Sequence, residues 1–212
     1  MTGPTATVFL VDDDQAVLKG LERLLHAAGF EVRAFASPQA FLDEHDPAAP
    51  GCAVLDVAMD GLNGLQLQRA LAARGDSRPV IFLTGRGDIP TSVQAMKAGA
   101  VDFFTKPVEA KELVSAVRLA LERDRQAREA RVERDMIEQR LALLTPRERE
   151  VLRLVVAGRL NKQIAAALGT AEKTVKVHRG RVMAKMGVRS VAELVRLTGQ
   201  VGITPAGSDS GG

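Results

Sequence analysis

Six residues in the first half of the chain have the types to handle a phosphate and a hard cation. Asp12, Asp13 and Asp14 follow the apolar run Val8 to Val11. Asp56 closes "CAVLD", Thr84 closes "VIFLT", and Lys106 follows "VDFFT". Carboxylates packed this closely repel, so at neutral pH a cation compensates them or their pKa values rise. A few carboxylates plus a phosphate suit Mg2+. Lys106 offers a point charge to an anionic oxygen, and Thr84 offers a hydroxyl. On residue types alone, a plain Asp13–Lys106 salt bridge at a strand end competes evenly with a functional pair.

Such residues meet only if a scaffold brings them together. The runs "TVFLV", "EVRAF", "CAVLD", "VIFLT" and "VDFFT" alternate with amphipathic segments over the first 120 residues. In "AVLKGLERLLHAAG", Val17, Leu18, Leu21, Leu24 and Leu25 share one face, the 3.6-residue period of a helix. Gly29 stops that helix, and Ser37-Pro38 starts the next. Five strands alternating with five helices predict an α/β doubly wound, five-stranded parallel sheet, covered on both faces. Ligand sites in such sheets lie outside the carboxyl ends of the strands. Asp12, Asp13, Asp56, Thr84 and Lys106 all fall there.

The charge divides along the chain. Residues 1–120 hold 11 basic and 15 acidic residues, a net of −4, and the remainder hold 18 and 11, a net of +7. All seven Phe lie between Phe9 and Phe104. Two domains with different jobs are expected, the second suited to a polyanion. No apolar run approaches the roughly 20 residues of a membrane span, and the N-terminus has no basic stretch followed by an apolar leader. The single Cys52, set in "GCAVLD", fits a small buried core residue in a reducing compartment. The expected location is the cytoplasm.

Residues 122–140 carry six basic and six acidic residues. Pairs such as Asp124/Arg128 stand four apart and support a solvated helix. Residues 121–142 are therefore expected to be a helical linker. "LTPREREVL" opens a second domain: Thr145-Pro146-Arg147-Glu148 is a capping box with Pro at the first helical position. Further helices are expected over Asn161–Leu168, Glu172–Met186 and Ser190–Leu197. Gly169 permits a tight turn between the first two, which is helix-turn-helix geometry. Residues 143–200 thus form a small all-α four-helix domain, and 201–212, ending "PAGSDSGG", are expected to be disordered.

At this point the chain resembles a known family. Asp12, Asp13, Asp56, Thr84 and Lys106 have the types and spacing of a two-component receiver domain. "LTPREREVLRLVVAG", "NKQIAAALG", "TVKVHR" and "VMAKM" resemble a LuxR-type helix-turn-helix. Together they are similar to response regulators of the NarL/FixJ family, closest to the FixJ-like branch. The resemblance implies a phosphorylation-controlled DNA-binding transcription regulator, not an enzyme apart from its own phosphorylation and dephosphorylation. It implies that Asp56 accepts a phosphoryl group, an acyl phosphate being accessible to a carboxylate nucleophile. Asp13, Asp56 and the Ala58 carbonyl would hold Mg2+, with Asp12 acting largely through water. Thr84 and Lys106 would bind phosphoryl oxygens, and Phe103 would act as the switch aromatic. Lys106-Pro107 is expected to be cis, which only X-Pro bonds adopt cheaply.

For the second domain the resemblance makes Lys176 and Val177 base readers, with Gly180 beside them. Thr174, His178 and Arg179 are phosphate contacts. Lys173, Arg181 and Lys185 share the solvent or DNA side, while Val175, Val182 and Met186 read as buried. His26 and His45 read as surface residues compensating helix dipoles. Implied partners are double-stranded DNA, a cognate sensor histidine kinase and a second copy of the chain on phosphorylation. RNA polymerase is a further candidate, and no membrane is involved. The expected dimer face offers Ile89, Val93, Met96 and Val101, and the helix from Ser190 is a second pairing element.

The sequence departs from the family twice. Asp60 stands where Pro is usual, four residues after Asp56. Ala171 stands where Ser usually caps the reading helix, which forfeits about 1 kcal/mol. Two other functions compete. "VFLVDDDQA" contains an apolar–Asp-x-Asp motif, as in haloacid-dehalogenase-like phosphohydrolases, with Asp12 as nucleophile and Asp14 as acid; Ala16 and the lack of a cap segment argue against it. A phosphorylation-independent DNA-binding scaffold is the other, opposed by the five matched positions.

Overall fold

The computed structural model describes residues 6–85 and 89–204, with the side chains of Ile89 and Thr91 left out. The described chain divides into two compact units after Arg128.

The first unit is the predicted parallel sheet. Its strands are β1 (Thr7–Val11), β2 (Glu31–Phe35), β3 (Gly51–Asp56), β4 (Val80–Thr84) and β5 (Asp102–Thr105). They lie in the order β2-β1-β3-β4-β5, and every pairing is parallel. The helices are α1 (Gln15–Ala27), α2 (Pro38–Glu44), α3 (Gly64–Ala73), α4 (Ile89–Lys97) and α5 (Ala110–Ala142). α5 continues past the division between the units.

Alternation along the strands builds two cores. Val8, Leu10, Cys52, Val54, Ile81 and Leu83 pack with Leu18, Leu21 and Leu25 of α1 and Leu113 and Val117 of α5. Phe9, Val11, Ala53, Leu55 and Phe82 face the other way, onto Phe41 of α2, Leu67 and Leu71 of α3 and Ala95 of α4. With both faces covered, the central strands need near-continuous apolar sequence, which β1, β3 and β4 have. Burial pushes the Cys52 thiol up to about 12, so it is inert core, as its sequence context suggested.

Two polar clusters secure the end of the sheet opposite the acids. His45 was expected at the surface. It is buried, its Nε2 lies 3.1 Å from Asp76 Oδ2, and its ring stacks on Phe41 at 4.4 Å. Asp76 also accepts from Arg78 Nε at 2.7 Å, and the Arg78 guanidinium lies 4.4 Å from the Phe9 ring. A partner 31 residues away is invisible to a local reading of a helix end. In the second cluster, buried Asp124 of α5 accepts from the Gly51 N–H at 2.8 Å and from Arg128 Nε at 2.8 Å. Arg128 also donates to the Ala48 and Ala49 carbonyls at 2.7 and 2.8 Å. Gly51 is obligatory there: at φ 153°, a Cβ would sit 2.0 Å from the Thr7 carbonyl oxygen. Asp124 and Arg128 therefore tie the start of the expected linker to the first unit, while Glu122, Arg123, Arg125, Gln126 and Ala127 between and before them are exposed.

In the second unit, α6 (Pro146–Val156), α7 (Asn161–Ala167), α8 (Glu172–Met186) and α9 (Val191–Gly199) bury Val151, Leu152, Val155, Ile164, Val175, Val182, Met186 and Leu194. Ile137 of α5 and Leu144 join this core. Val201 and Ile203, expected in a disordered tail, pack against it too; residues 205–212 lie outside the described residues. Gly169 takes φ 60° in the α7–α8 turn, which suits glycine.

The predicted capping box is present: Thr145 Oγ1 accepts from the Glu148 N–H, and Glu148 Oε2 accepts from the Thr145 N–H at 2.9 Å. Glu148 Oε2 also accepts from Lys185 Nζ of α8 at 2.6 Å. The Lys185 bond, followed by the Thr145 backbone bond, holds the Glu148 carboxyl down to about 2. A carboxyl lowered in the folded state contributes stability above its ordinary pKa and loses it as pH falls through the folded one. The helical melt of the second unit should therefore weaken between about pH 4.5 and 2. Glu148→Gln should flatten that part of the pH profile in circular-dichroism melts.

Candidate functional site

The strand order reverses between β1 and β3, and in such sheets the crevice at that point is where ligands bind. Asp12 and Asp13 leave β1 there, and Asp56 ends β3 beside them. One carboxylate oxygen from each of the three lies within 4.8 Å of the others. Asp12 and Asp56 are buried, while Asp13 is exposed.

The third acid of the opening run has a different task. Asp14 caps α1: its Oδ1 accepts from the Ala16 and Val17 N–H groups at 2.8 and 3.3 Å. An acid spent on a helix N-cap is poorly placed to act as the proton donor of a phosphohydrolase. Asp12 Oδ1 accepts from the Asp14 N–H at 3.0 Å, which fixes the turn between the acids.

β5 delivers the cation. The Lys106 N–H donates to the Thr84 carbonyl at 2.7 Å, and the Lys106–Pro107 bond is cis, as expected. Lys106 Nζ donates to Asp12 Oδ2 at 2.5 Å and lies 3.0 Å from Asp56 Oδ1. The second contact is charge proximity without hydrogen-bond geometry. Asp56 Oδ1 is buried and has no hydrogen-bond partner among the described residues. The salt-bridge alternative thus exists, but it joins Lys106 to Asp12 and Asp56, not to Asp13.

Electrostatics follow from that geometry. Burial raises the Asp56 carboxyl above its ordinary range, with Asp12 and Asp13 adding to the rise and Lys106 opposing it. Burial alone would lower the Lys106 amine, but its bond to Asp12 and its close charge contact with Asp56 outweigh that and raise it. Three acids against one amine leave an anionic pocket, with the buried Asp56 oxygen shared onto a lysine that is also bonded to Asp12. A small divalent cation fits that donor set.

The surroundings hold Asp56 in place. The Val57 N–H donates to the Leu83 carbonyl at 2.8 Å, and the Gly64 N–H to the Val57 carbonyl at 3.1 Å. Gly64 lies so close beneath Asp56 that a Cβ would meet the Asp56 carbonyl oxygen at 2.3 Å. Asn63 and Gln66 cap α3 reciprocally. Thr84 is buried at the end of β4. Ala58 is exposed two residues beyond Asp56. Phe103 is half-buried on β5, 6.5 Å from the Phe82 ring. Of the expected dimer face, Val93 and Met96 on α4 are 46% and 48% exposed. Val101 is buried in the core and unavailable; the Ile89 side chain lies outside the described residues.

On α8, Val175, Val182 and Met186 point inward, while Lys173, Thr174, Lys176, Val177, Gly180 and Arg181 are exposed. Ala171 stands at the N-cap without a side-chain bond. His178 and Arg179 are half-buried. Arg179 donates to Asn161 Oδ1 of α7 at 3.0 Å, a partner that helical periodicity does not reveal. Lys185 is corrected: its amine is held by Glu148 and the Leu143 carbonyl, so it anchors α8 to α6 and is not a free cation for DNA.

An anionic strand-end pocket with a lysine, in one chain with a basic helix-turn-helix, defines a DNA-binding regulator switched by phosphoryl chemistry. The comparisons agree. Residues 8–118 match the response regulator receiver domain, and residues 142–198 match the bacterial regulatory proteins of the luxR family. Nodulation protein W of Bradyrhizobium diazoefficiens is 47% identical over 94% of this chain and 88% of its own. The response regulator StyR, solved at low resolution, is 47% identical, covers 92% of this chain and 99% of its own, and superposes with a TM-score of 0.83. Full-length FixJ from B. japonicum is 39% identical over 95% and 99% of the two chains, with a TM-score of 0.58. The chain belongs to the NarL/FixJ family of response regulators, and its function is phosphorylation-controlled regulation of transcription.

Lys106 opposes the upward shift at Asp56. Lys106→Met should therefore move the Asp56 carboxyl titration further up in the metal-free protein, as read by carboxyl 13C NMR. An unmoved titration would contradict the assigned pairing.

Proposed function

We propose that Asp56 receives a phosphoryl group from a cognate sensor histidine kinase, with Asp12, Asp13 and the Ala58 carbonyl completing a Mg2+ site. The single observation that carries this is the buried Asp56 carboxylate, ion-paired with Lys106 at 3.0 Å in a cluster of three carboxylates. An Asp56 oxygen attacks phosphorus as the bond from phosphorus to the kinase imidazole breaks; with the other ring nitrogen of that imidazole already protonated, the ring leaves as neutral imidazole. Phosphoryl transfer needs positioning and charge neutralisation more than covalent help. Bound Mg2+ would supply neutralisation of the phosphoryl oxygens. Lys106 already lies against Asp56 and can exchange that contact for a phosphoryl oxygen. Thr84 binds another oxygen, and Phe103, two residues before the Thr84 partner Thr105 on the next strand, follows the Thr84 movement. Loss of the phosphoryl group by hydrolysis resets the receiver.

The phosphorylated receiver then pairs with a second copy through α4, where Val93 and Met96 stand three residues apart and exposed. Pairing makes the second DNA contact effectively intramolecular, so affinity rises without change in either reading head. α9 contributes Val191 and Val195 to pairing on a two-fold operator. Lys176 and Val177 read base edges, Thr174, His178 and Arg179 hold phosphates, and Lys173 and Arg181 add positive charge. The protein acts in the cytoplasm and works with RNA polymerase at its promoters.

Asp56→Asn should abolish labelling by acetyl phosphate with the fold intact, while wild type doubles its mass in light scattering on phosphorylation. Val93→Asp should keep the label and lose the doubling. Labelling of the Asp56→Asn chain at the wild-type rate would place the acceptor elsewhere.

In mobility shifts, Lys176→Ala should narrow the gap between specific and random DNA by about 1–3 kcal/mol. Arg179→Ala should weaken both alike and lower the salt slope by about one unit. Equal, uniform loss in both variants would move the reading edge to other residues.

A further inference from the structure

We propose that the backbone N–H of Asp60 is the positioning group for Asp13, holding that carboxylate in the orientation in which it binds the cation; the role rests on the Mg2+ reading of the acid cluster. The Asp60 N–H donates to Asp13 Oδ2 at 3.1 Å, across 47 residues of sequence. Proline, which the family resemblance puts at position 60, has no N–H to give, so this bond is particular to this chain. Asp12 is buried and bonded to Lys106 and to a backbone N–H, and Asp56 is buried at the end of β3. Asp13 is exposed, one position beyond Asp12, and without a partner its carboxylate would sample several rotamers.

The donor is itself well fixed. The Asp60 loop starts at Val57, whose N–H is bonded to Leu83, and ends at the Asn63 cap of α3. Met59, the neighbouring residue, is 8% exposed in the core. A buried side chain on one side and a capped helix on the other leave the residue-60 amide little freedom. The bond occupies one lone pair of Oδ2, and a carboxylate offers about four, so Asp13 keeps oxygens for a cation. The donor also sets positive dipole against a carboxylate that stands beside two others, offsetting part of their repulsion.

The same observation gives a meaning to the acid at position 60. The useful part of that residue is its amide, and any residue except proline supplies one. Ligand carboxylates held by a further hydrogen bond lose about 10- to 100-fold in metal affinity when that bond is removed.

The test compares Asp60→Ala with Asp60→Pro in the full chain. Both remove the Asp60 carboxylate, and only the second removes the N–H. Isothermal titration with Mg2+ should give the Pro variant a Kd at least about tenfold weaker than the Ala variant. Equal Kd values would overturn the proposal. An independent reading avoids any loop change caused by proline. In the metal-free protein, Asp13→Ala should shift the residue-60 amide proton upfield and speed its exchange, and an unmoved amide would overturn the hydrogen bond. A wild-type chain that takes up no Mg2+ would instead sink the cation reading, and this role with it, even if the amide moves.

Discussion

One amine among three carboxylates organises the first unit. Asp12 and Asp56 are buried where strands β1 and β3 end, and burying a carboxylate is costly unless something answers its charge. Lys106 answers for both, but it cannot fully satisfy both. It hydrogen-bonds Asp12 and only approaches Asp56. Burial raises the Asp56 carboxyl, with Asp12 and Asp13 adding to the rise, and Lys106 offsets only part of it. A pocket balanced in this way is under-neutralised when empty and attracts cations. Once an anionic group is attached to Asp56, the same lysine can turn to it without leaving the site. The sheet order and the close approach of Gly64 to the Asp56 backbone keep these four side chains at one crevice.

Much of this was legible in the sequence. The five apolar runs became five strands within a residue of their expected limits, because continuous apolar stretches of that length have few other uses in a soluble α/β unit. The convergence of Asp12, Asp13, Asp56, Thr84 and Lys106 followed from one rule about strand ends. Local signals also held: Thr145 with Glu148 announced a capping box, and Ser37-Pro38 a helix start. What stayed hidden were partners chosen in three dimensions. His45 looked like a helix-end residue and is a buried link to Asp76. Lys185 looked like part of a basic face and is tied to Glu148, 37 residues earlier. Val101 lay in a plausible exposed segment, but the sheet turns it inward. Periodicity reports which face a residue shares; it does not report what lies opposite.

The second unit shows the same division between local and remote signals. Its helices are short, and only α6 and α9 are amphipathic enough to be assigned by pattern alone. α8 carries basic residues around much of its circumference, so its inward face rests on just Val175, Val182 and Met186. Its orientation is set from outside: Lys185 is held by Glu148 near its C-terminal end, and Arg179 by Asn161 midway along. With those two bonds made, Lys173, Lys176, Val177 and Arg181 are presented together to solvent.

The clamp formed by Asp124, Arg128 and the Gly51 loop bears on where a receiver ends. The matched receiver model stops at residue 118, yet hydrogen bonds continue to Arg128. The span recognised by descent is therefore shorter than the span that holds together physically. A chimaera joined at residue 118 would keep every residue of the phosphoryl pocket. It would also leave the Gly51 N–H and two loop carbonyls to whatever sequence followed the splice. Grafting new output modules onto this receiver, by evolution or by design, keeps this clamp only when the splice falls beyond Arg128.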